Sequence, residues 1–250
     1  MVRCVISDVD GSLIYKGSHL NTARLPVMLK KLESLNIRFA VATGRNYCEL
    51  KKLFGQYEKD IVCICSDGAY TVKNGCTLTS SPITEKCFDR FSILTKASVV
   101  FHSVSKSFFY GSDTMAYRKE QARLGNVIRI TSIKDIASDI FRISVYGDIR
   151  GFEPSEDIRV CYSSHGIKEY VSPKASKLSA AKTLCEGAGI PLSEVLFFGD
   201  GENDRDLILN CGTSYTTYCA DSSVFGLTRN HTRDVIGTTI RLADSWQKNK

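Results

Sequence analysis

Short apolar runs alternating with amphipathic stretches dominate the first eighty residues. Val2 to Ile6, Ile37 to Ala42 and Ile61 to Cys65 have the length and side-chain content of strands, whereas Thr22 to Leu35 and Asn46 to Phe54 have the spacing of helices. Strands separated by helices build βαβ units, and such units build a parallel sheet, because each parallel connection must cross back over the sheet. Ser66-Asp67-Gly68 and Asn74-Gly75 mark turns around two short runs and predict a small hairpin. After Pro82 the rhythm changes. A helix is expected over Thr84 to Lys96, paired strands over Val99 to Ser103 and Ser107 to Tyr110, and a helix near Thr114 to Leu124. Strand-like runs follow at Val127 to Ile130, Phe141 to Tyr146 and Ile158 to Tyr162. From Ala175 the first rhythm returns, with a helix to about Ala188, a strand Val195 to Phe198 and a helix opening near Asn203. The chain leaves one sheet and comes back to it. The fold class that follows is α/β: a Rossmann-like, doubly wound parallel-sheet core over 1–82 and 171–250, interrupted by an inserted α+β unit over 83–170.

The 250 residues, 43% hydrophobic and 24% charged, suffice for a large buried core. Lysine and arginine exceed aspartate and glutamate by 33 to 27, and the surplus is spread along the chain. That distribution argues against nucleic acid or a membrane surface as partner. A charge at Arg3 interrupts the opening before any apolar stretch reaches signal-peptide length, and no segment has the ~20 apolar residues of a membrane helix. A cytoplasmic protein is expected. The ten cysteines contain no CxxC pair, so a reduced set is expected, with Cys63 and Cys65 as small buried hydrophobes on one strand face.

Four local signals carry chemistry. Asp8-Val9-Asp10-Gly11-Ser12 stands where the opening strand ends, and ligands of doubly wound sheets bind at the carboxyl ends of strands. One carboxylate there suits attack on phosphorus and the other proton transfer, a division of labour that the very slow uncatalysed hydrolysis of phosphate monoesters calls for. Thr43-Gly44-Arg45 also follows an apolar strand; the Thr43 hydroxyl and the N–H groups at Gly44 suit phosphate oxygens at a helix start. Lys177 opens the helix after Pro173, where an ammonium can neutralise a carboxylate and a phosphoryl group together, although Lys174 competes for the role. Gly199-Asp200-Gly201-Glu202-Asn203-Asp204 is a compact, oxygen-rich loop of the kind a hard Mg²⁺ ion requires, with Asn203 and Asp204 one helical turn beyond Asp200.

Taken in order, these four segments resemble the motifs of the haloacid dehalogenase superfamily, and within it the Cof-type phosphatases, whose cap is inserted between the second and third motifs. The family's DxDGT reads DVDGS here, its threonine lies in Ala42-Thr43-Gly44-Arg45, its lysine is Lys177, and its GDGxND spans Gly199 to Asp204. The resemblance implies Asp8 as nucleophile, Asp10 as general acid and base, and Thr43, Gly44, Lys177 and Asn203 around the phosphate. It further implies Mg²⁺ held by Asp8, the Asp10 carbonyl and Asp200, with Asp204 in support. Ser66-Asp67-Gly68-Ala69 departs from the Asn-Gly-Ala common among relatives, which puts any contact made by that asparagine in question.

The implied reaction is hydrolysis of a small phosphorylated metabolite, a sugar or polyol phosphate being favoured. Two alternatives share parts of the chemistry: a phosphomutase of the phosphomannomutase kind, and a non-enzymatic phosphoryl-accepting module, whose acceptor sits on a later strand and which lacks an insertion. The inserted segment carries 13 basic and 11 acidic residues, so selectivity is expected from a few placed groups, with His102, Lys106, Arg118 and Lys119 as candidates.

Overall fold

A computed structural model of the chain describes residues 1–248 except Thr95, Arg150, Gly151, Glu153 and His165. Its first half-sheet is built from β1 (Cys4–Ser7), α1 (Leu25–Ser34), β2 (Arg38–Ala42), α2 (Tyr47–Phe54) and β3 (Val62–Cys65), followed by the hairpin β4 (Tyr70–Lys73) and β5 (Cys76–Ser80). The chain then builds a second sheet from β6 (Ala97–His102), β7 (Ser107–Tyr110), α3 (Thr114–Leu124), β8 (Val127–Ile130), β9 (Arg142–Gly147), β10 (Arg159–Ser164) and β11 (Ile167–Val171). It returns through α4 (Lys177–Glu186), β12 (Val195–Gly199), α5 (Arg205–Asn210), β13 (Thr213–Thr217), α6 (Ser222–Phe225), β14 (His231–Thr232) and α7 (Val235–Lys248).

The first sheet has the order β14-β13-β12-β1-β2-β3-β4-β5, parallel throughout except at the hairpin. Both faces of the central strands β12, β1, β2 and β3 are covered, which explains why these four are nearly all apolar rather than alternating. Val5, Phe39, Val41 and Phe198 pack against α1, α2 and α7, while the intervening Cys4, Ile6, Ala40 and Phe197 pack against α4, α5 and α6. Cys63 and Cys65 lie on the first of these faces. From β1 the chain winds one way to β2 and β3, and after the insertion it winds the other way from β12 to β13 and β14. The reversal falls between β1 and β12, where neighbouring loops diverge and leave a crevice.

The inserted unit is a six-stranded sheet of order β10-β11-β9-β6-β7-β8, antiparallel apart from β7 and β8, which α3 connects. One face carries Val99, Phe101, Ile143, Val145 and Tyr170, closed by Phe88, Phe91 and Leu94. Those three residues lie in or just after a 3₁₀ segment, Glu85–Ile93, where a regular helix over Thr84 to Lys96 was expected; Thr95 of that stretch lies outside the described residues. Apolar residues three apart, at 88, 91 and 94, match the three residues per turn of a 3₁₀ helix, and bonds such as Leu94 N–H to the Phe91 carbonyl close it. Strand β11 was not expected, because Lys168 and Glu169 interrupt its apolar run. The reason for a charge there lies in the site.

Candidate active site

Asp8 directly follows β1, Thr43 follows β2 and Asp200 follows β12, so three adjacent strand ends deliver their side chains to the crevice at the switch point. Lys177 arrives from the opening of α4, which Ser176 caps by accepting from the Ser179 N–H at 2.9 Å. Two glycines make the approach possible. At Gly11 (φ +87°) a Cβ would stand 2.0 Å from Asp200 Oδ2, and at Gly68 (φ +89°) it would stand 2.1 Å from the Ser176 carbonyl oxygen. A side chain at either position would push apart two segments of the site.

Lys177 is 2% exposed and donates to Asp8 Oδ1 at 2.6 Å and Asp204 Oδ1 at 2.7 Å. Asp204 Oδ2 accepts the N–H groups of Asp200 and Gly201 at 2.9 and 3.1 Å, so both of its oxygens are engaged and it ties the loop to α4. Asp200 accepts from the Ser12 hydroxyl at 2.9 Å. Two carboxylates thus share one ammonium, with a third, Asp200, close beside them. Burial, then the neighbouring Asp204, pushes Asp200 up to about 6. Burial likewise raises Asp8 well above the usual carboxylate range, with Lys177 pulling the other way and Asp204 and Asp200 adding to the rise. Burial opposes the charge of Lys177, but Asp204 and Asp8 outweigh it and hold its pKa above the ordinary value. One oxygen each from Asp8, Asp200 and Asp204 lies within 4.8 Å of the others. Hard oxygen donors with surplus negative charge fit a hard divalent cation, and the engaged oxygens of Asp204 leave Asp8 and Asp200 as the groups free to hold one.

Thr43 is buried, with its Oγ1 accepting from the Arg45 N–H at 3.2 Å. Asp10 stands at the exposed rim, where both carboxylate oxygens accept from Arg45, from Nε at 2.7 Å and Nη2 at 2.6 Å. Asn203 donates to Asp67 Oδ1 at 2.8 Å. Asp67 itself is buried in a left-handed turn (φ 56°, ψ 35°) and its other oxygen accepts from Nη2 of Arg142, from β9 of the second sheet, at 2.5 Å. Arg142 Nη1 donates to Glu169 of β11 at 2.7 Å, which accounts for the charged residue in that strand. Burial works against the Asp67 charge, yet Arg142 and Lys177 together hold its pKa below the ordinary value.

The structure therefore gathers Asp8, Lys177, Asp200 and Asp204 into one cluster, with Thr43 and Asn203 beside it and the Asp10 carboxylate turned to Arg45. Lys174 is exposed. Of the four residues named in the insertion, His102 is 1% exposed and held between Ser107 (3.0 Å) and Ser144 (2.9 Å); Lys106 lies over the Phe108 ring; Arg118 and Lys119 are exposed on α3. The residue of the insertion that pairs with an acid of the core site is, among the described residues, Arg142. Its signal was the alternation Phe141-Arg142-Ile143-Ser144-Val145, which puts Arg142 and Ser144 on the face opposite the apolar core of that sheet. Arg45 was visible in its motif but had no partner in sequence that would assign it a role.

A Rossmann-like core with an acidic site at its switch point, under an inserted α+β cap, defines a class of hydrolase. Residues 5–234 match the haloacid dehalogenase-like hydrolase family, and the chain belongs to that family. It is 25% identical over 239 residues (89% of this chain, 88% of the relative) to 5-amino-6-(5-phospho-D-ribitylamino)uracil phosphatase YbjI of Escherichia coli (strain K12). It is 27% identical over 227 residues (85% and 82%) to the HMP-PP phosphatase of Citrobacter koseri. A crystal structure of a haloacid dehalogenase-like hydrolase from Bacteroides thetaiotaomicron superposes with a TM-score of 0.81 at 17% identity, covering 97% of this chain and 100% of that one. The chain is a phosphoric monoester hydrolase of the Cof type. No helix among the described residues is long and apolar enough to cross a membrane.

Proposed function

We propose that this enzyme is a Mg²⁺-dependent, cytoplasmic phosphatase that hydrolyses a small phosphorylated metabolite, with a sugar or polyol phosphate favoured, through a phospho-aspartate on Asp8. The observation that carries this reading is the buried Lys177 ammonium bridging Asp8 and Asp204, with Asp200 in the same cluster. A carboxylate so placed is oriented for attack, and its neighbours carry the charge that a phosphate dianion and a cation must balance. The relative named for a phospho-D-ribitylamino compound supports a phosphate borne on a polyol chain.

In the first step an oxygen of Asp8 bonds to phosphorus while the bond from phosphorus to the ester oxygen breaks, and Asp10 gives that oxygen its proton. In the second, water attacks the phosphorus of the phospho-aspartate, Asp10 takes its proton, and Asp8 is released with inorganic phosphate. Thr43, the N–H at Gly44, Lys177 and Asn203 hold the phosphoryl oxygens. Because Arg45 engages both Asp10 oxygens, proton transfer requires this pair to part as substrate enters. Mg²⁺, held by Asp8, Asp200 and the Asp10 carbonyl, supplies charge neutralisation at the phosphoryl group. Residues 83–170 serve as the cap that selects substrate, on a core of 1–82 and 171–250. Its ties to the core include Arg123 to Glu49 at 3.1 Å and Arg142 to Asp67.

The test is phosphate release from a panel of phosphorylated sugars, polyols, nucleotides and cofactors by the wild type and Asp8→Asn, with mass spectrometry of the quenched enzyme. The expected result is turnover and a phosphorylated Asp8 in the wild type and neither in the variant. Turnover by Asp8→Asn at the wild-type rate refutes the mechanism.

A further inference from the structure

Asp67 has no task in the hydrolysis just described. Its carboxylate nonetheless lies where substrate must come: a Cβ at Gly44 would be 3.5 and 3.6 Å from its two oxygens, and Asn203 donates to it. It lines a cavity of about 290 Å³ at the boundary of core and cap, together with Lys177, Asn203, Arg159, Glu202 and Asp206. Acids outnumber bases in that lining by three to two, and the bases are already committed. Lys177 serves Asp8 and Asp204, and Arg159 donates to the Ala175 carbonyl at 2.6 Å.

The cap side is balanced in the same sense. Arg142 is 7% exposed and its two terminal nitrogens are taken by Asp67 and Glu169, so this trio carries one net negative charge. Behind it Ser144 donates to Glu169 at 2.7 Å and pairs with His102 at 2.9 Å. With the serine proton on Glu169, the imidazole donates to Ser144 and is neutral, and burial first, then Arg123 and Arg142, depresses its pKa. The two cations that bear on His102, Arg123 and Arg142, are both paired with acids. The remaining unfilled donor is the buried Nε–H of Arg142, which has no hydrogen-bond partner among the described residues, and a hydroxyl oxygen satisfies such a donor without adding charge.

Resting on the phosphatase reading above, we propose that Asp67, held by Arg142, makes this site select phosphate monoesters whose alcohol part carries no anionic group, and that it rejects substrates with a second phosphate or a carboxylate. Removing the Asp67 charge leaves two acids, Glu202 and Asp206, against two bases, Arg159 and Lys177, in the lining, and it leaves Arg142 paired with Glu169 alone, so the preference against a second anion is lost. A unit charge at about 6 Å across a partly screened site is worth about a 100-fold change in equilibrium.

The experiment uses two esters of the same carbon length that differ by one carboxylate, sorbitol 6-phosphate and 6-phosphogluconate. Calorimetric affinities with Mg²⁺ are measured in the non-hydrolysing Asp8→Asn protein and in Asp8→Asn/Asp67→Asn. The first is expected to favour sorbitol 6-phosphate by at least tenfold, and the second to lose or invert that preference. Adding Arg142→Gln to the second is expected to weaken 6-phosphogluconate selectively. An affinity ratio within twofold in all three proteins, or no binding of either ester, overturns the proposal. Turnover of sorbitol 6-phosphate by the protein with Asp8 intact is measured alongside. If that fails while the affinities shift as expected, the hydrolytic reading falls and the charge selection stands.

Discussion

Lys177→Met tests the charge arrangement of the site most directly. The ammonium is buried and serves two buried carboxylates at 2.6 and 2.7 Å, so methionine fills the space and leaves Asp8 and Asp204 without a cation. Removing one partner of a buried pair costs about 3–5 kcal/mol. The loss has a ceiling, because a stranded carboxyl can take up a proton instead: at pH 7 that costs about 4 kcal/mol per group, and at pH 5 only about 1.5 kcal/mol. The raised pKa of Lys177 keeps it charged, and its contribution fully present, throughout this range; it is lost only in alkali, as pH rises through the folded-state pKa. The pH dependence of the difference therefore comes from the variant's own carboxyls, whose raised pKa makes the variant relatively more stable as pH falls. Urea unfolding of both proteins in chelator at pH 5, 6 and 7 should show a deficit of about 3–5 kcal/mol at pH 7 that shrinks toward pH 5. Asp8→Asn in the variant background should recover part of it. A deficit below about 1 kcal/mol at pH 7, or one independent of pH, refutes the claim that Lys177 is the counter-charge of this cluster.

Four further expectations follow from the geometry. Because Asp200 is pushed up to about 6, protons compete with Mg²⁺ there; affinity by calorimetry should fall roughly tenfold per pH unit below that value and level off above it, and a flat profile from pH 5 to 7 contradicts this. The same shift makes the metal-free protein lose stability as pH rises from the ordinary aspartate range through about 6, where a depressed group such as Asp67 would contribute the opposite sign. Gly11→Ala, with its Cβ forced onto Asp200, should weaken Mg²⁺ binding by more than about tenfold, and an unchanged Mg²⁺ titration would disprove the close approach. Asp10→Asn should slow hydrolysis of sugar phosphates by about 10²- to 10⁴-fold but that of 4-nitrophenyl phosphate far less, since a good leaving group needs no proton; equal losses would exclude the general-acid role.

The parallel core was legible because its strands are apolar on both faces and bounded by turn residues, so length and flanks alone identify β1, β2, β3 and β12 to within a residue or two. The acidic cluster was legible for a related reason. In a doubly wound sheet the residue after a strand points into the crevice, so a one-dimensional position converts directly into a place in the site. The segment Glu85–Ile93 was less legible, since apolar residues three apart suit an α-helix and a 3₁₀ helix alike, and packing against the second sheet chose between them.

Sequence order by itself determined which residues stand at the strand ends: Asp8, Thr43 and Asp200 each follow a strand whose apolar run is visible without coordinates, and Lys177 opens a helix. Tertiary structure alone decided the pairings between side chains far apart in the chain. Asp10 turns to Arg45, Lys177 and not the exposed Lys174 reaches Asp8 across 169 positions, and Arg142 crosses from the cap to Asp67 across 75. An ion pair has no periodicity and no fixed spacing along a chain. It depends on where two sheets come to rest against each other, and that is set by the packing of their faces rather than by the residues that pair.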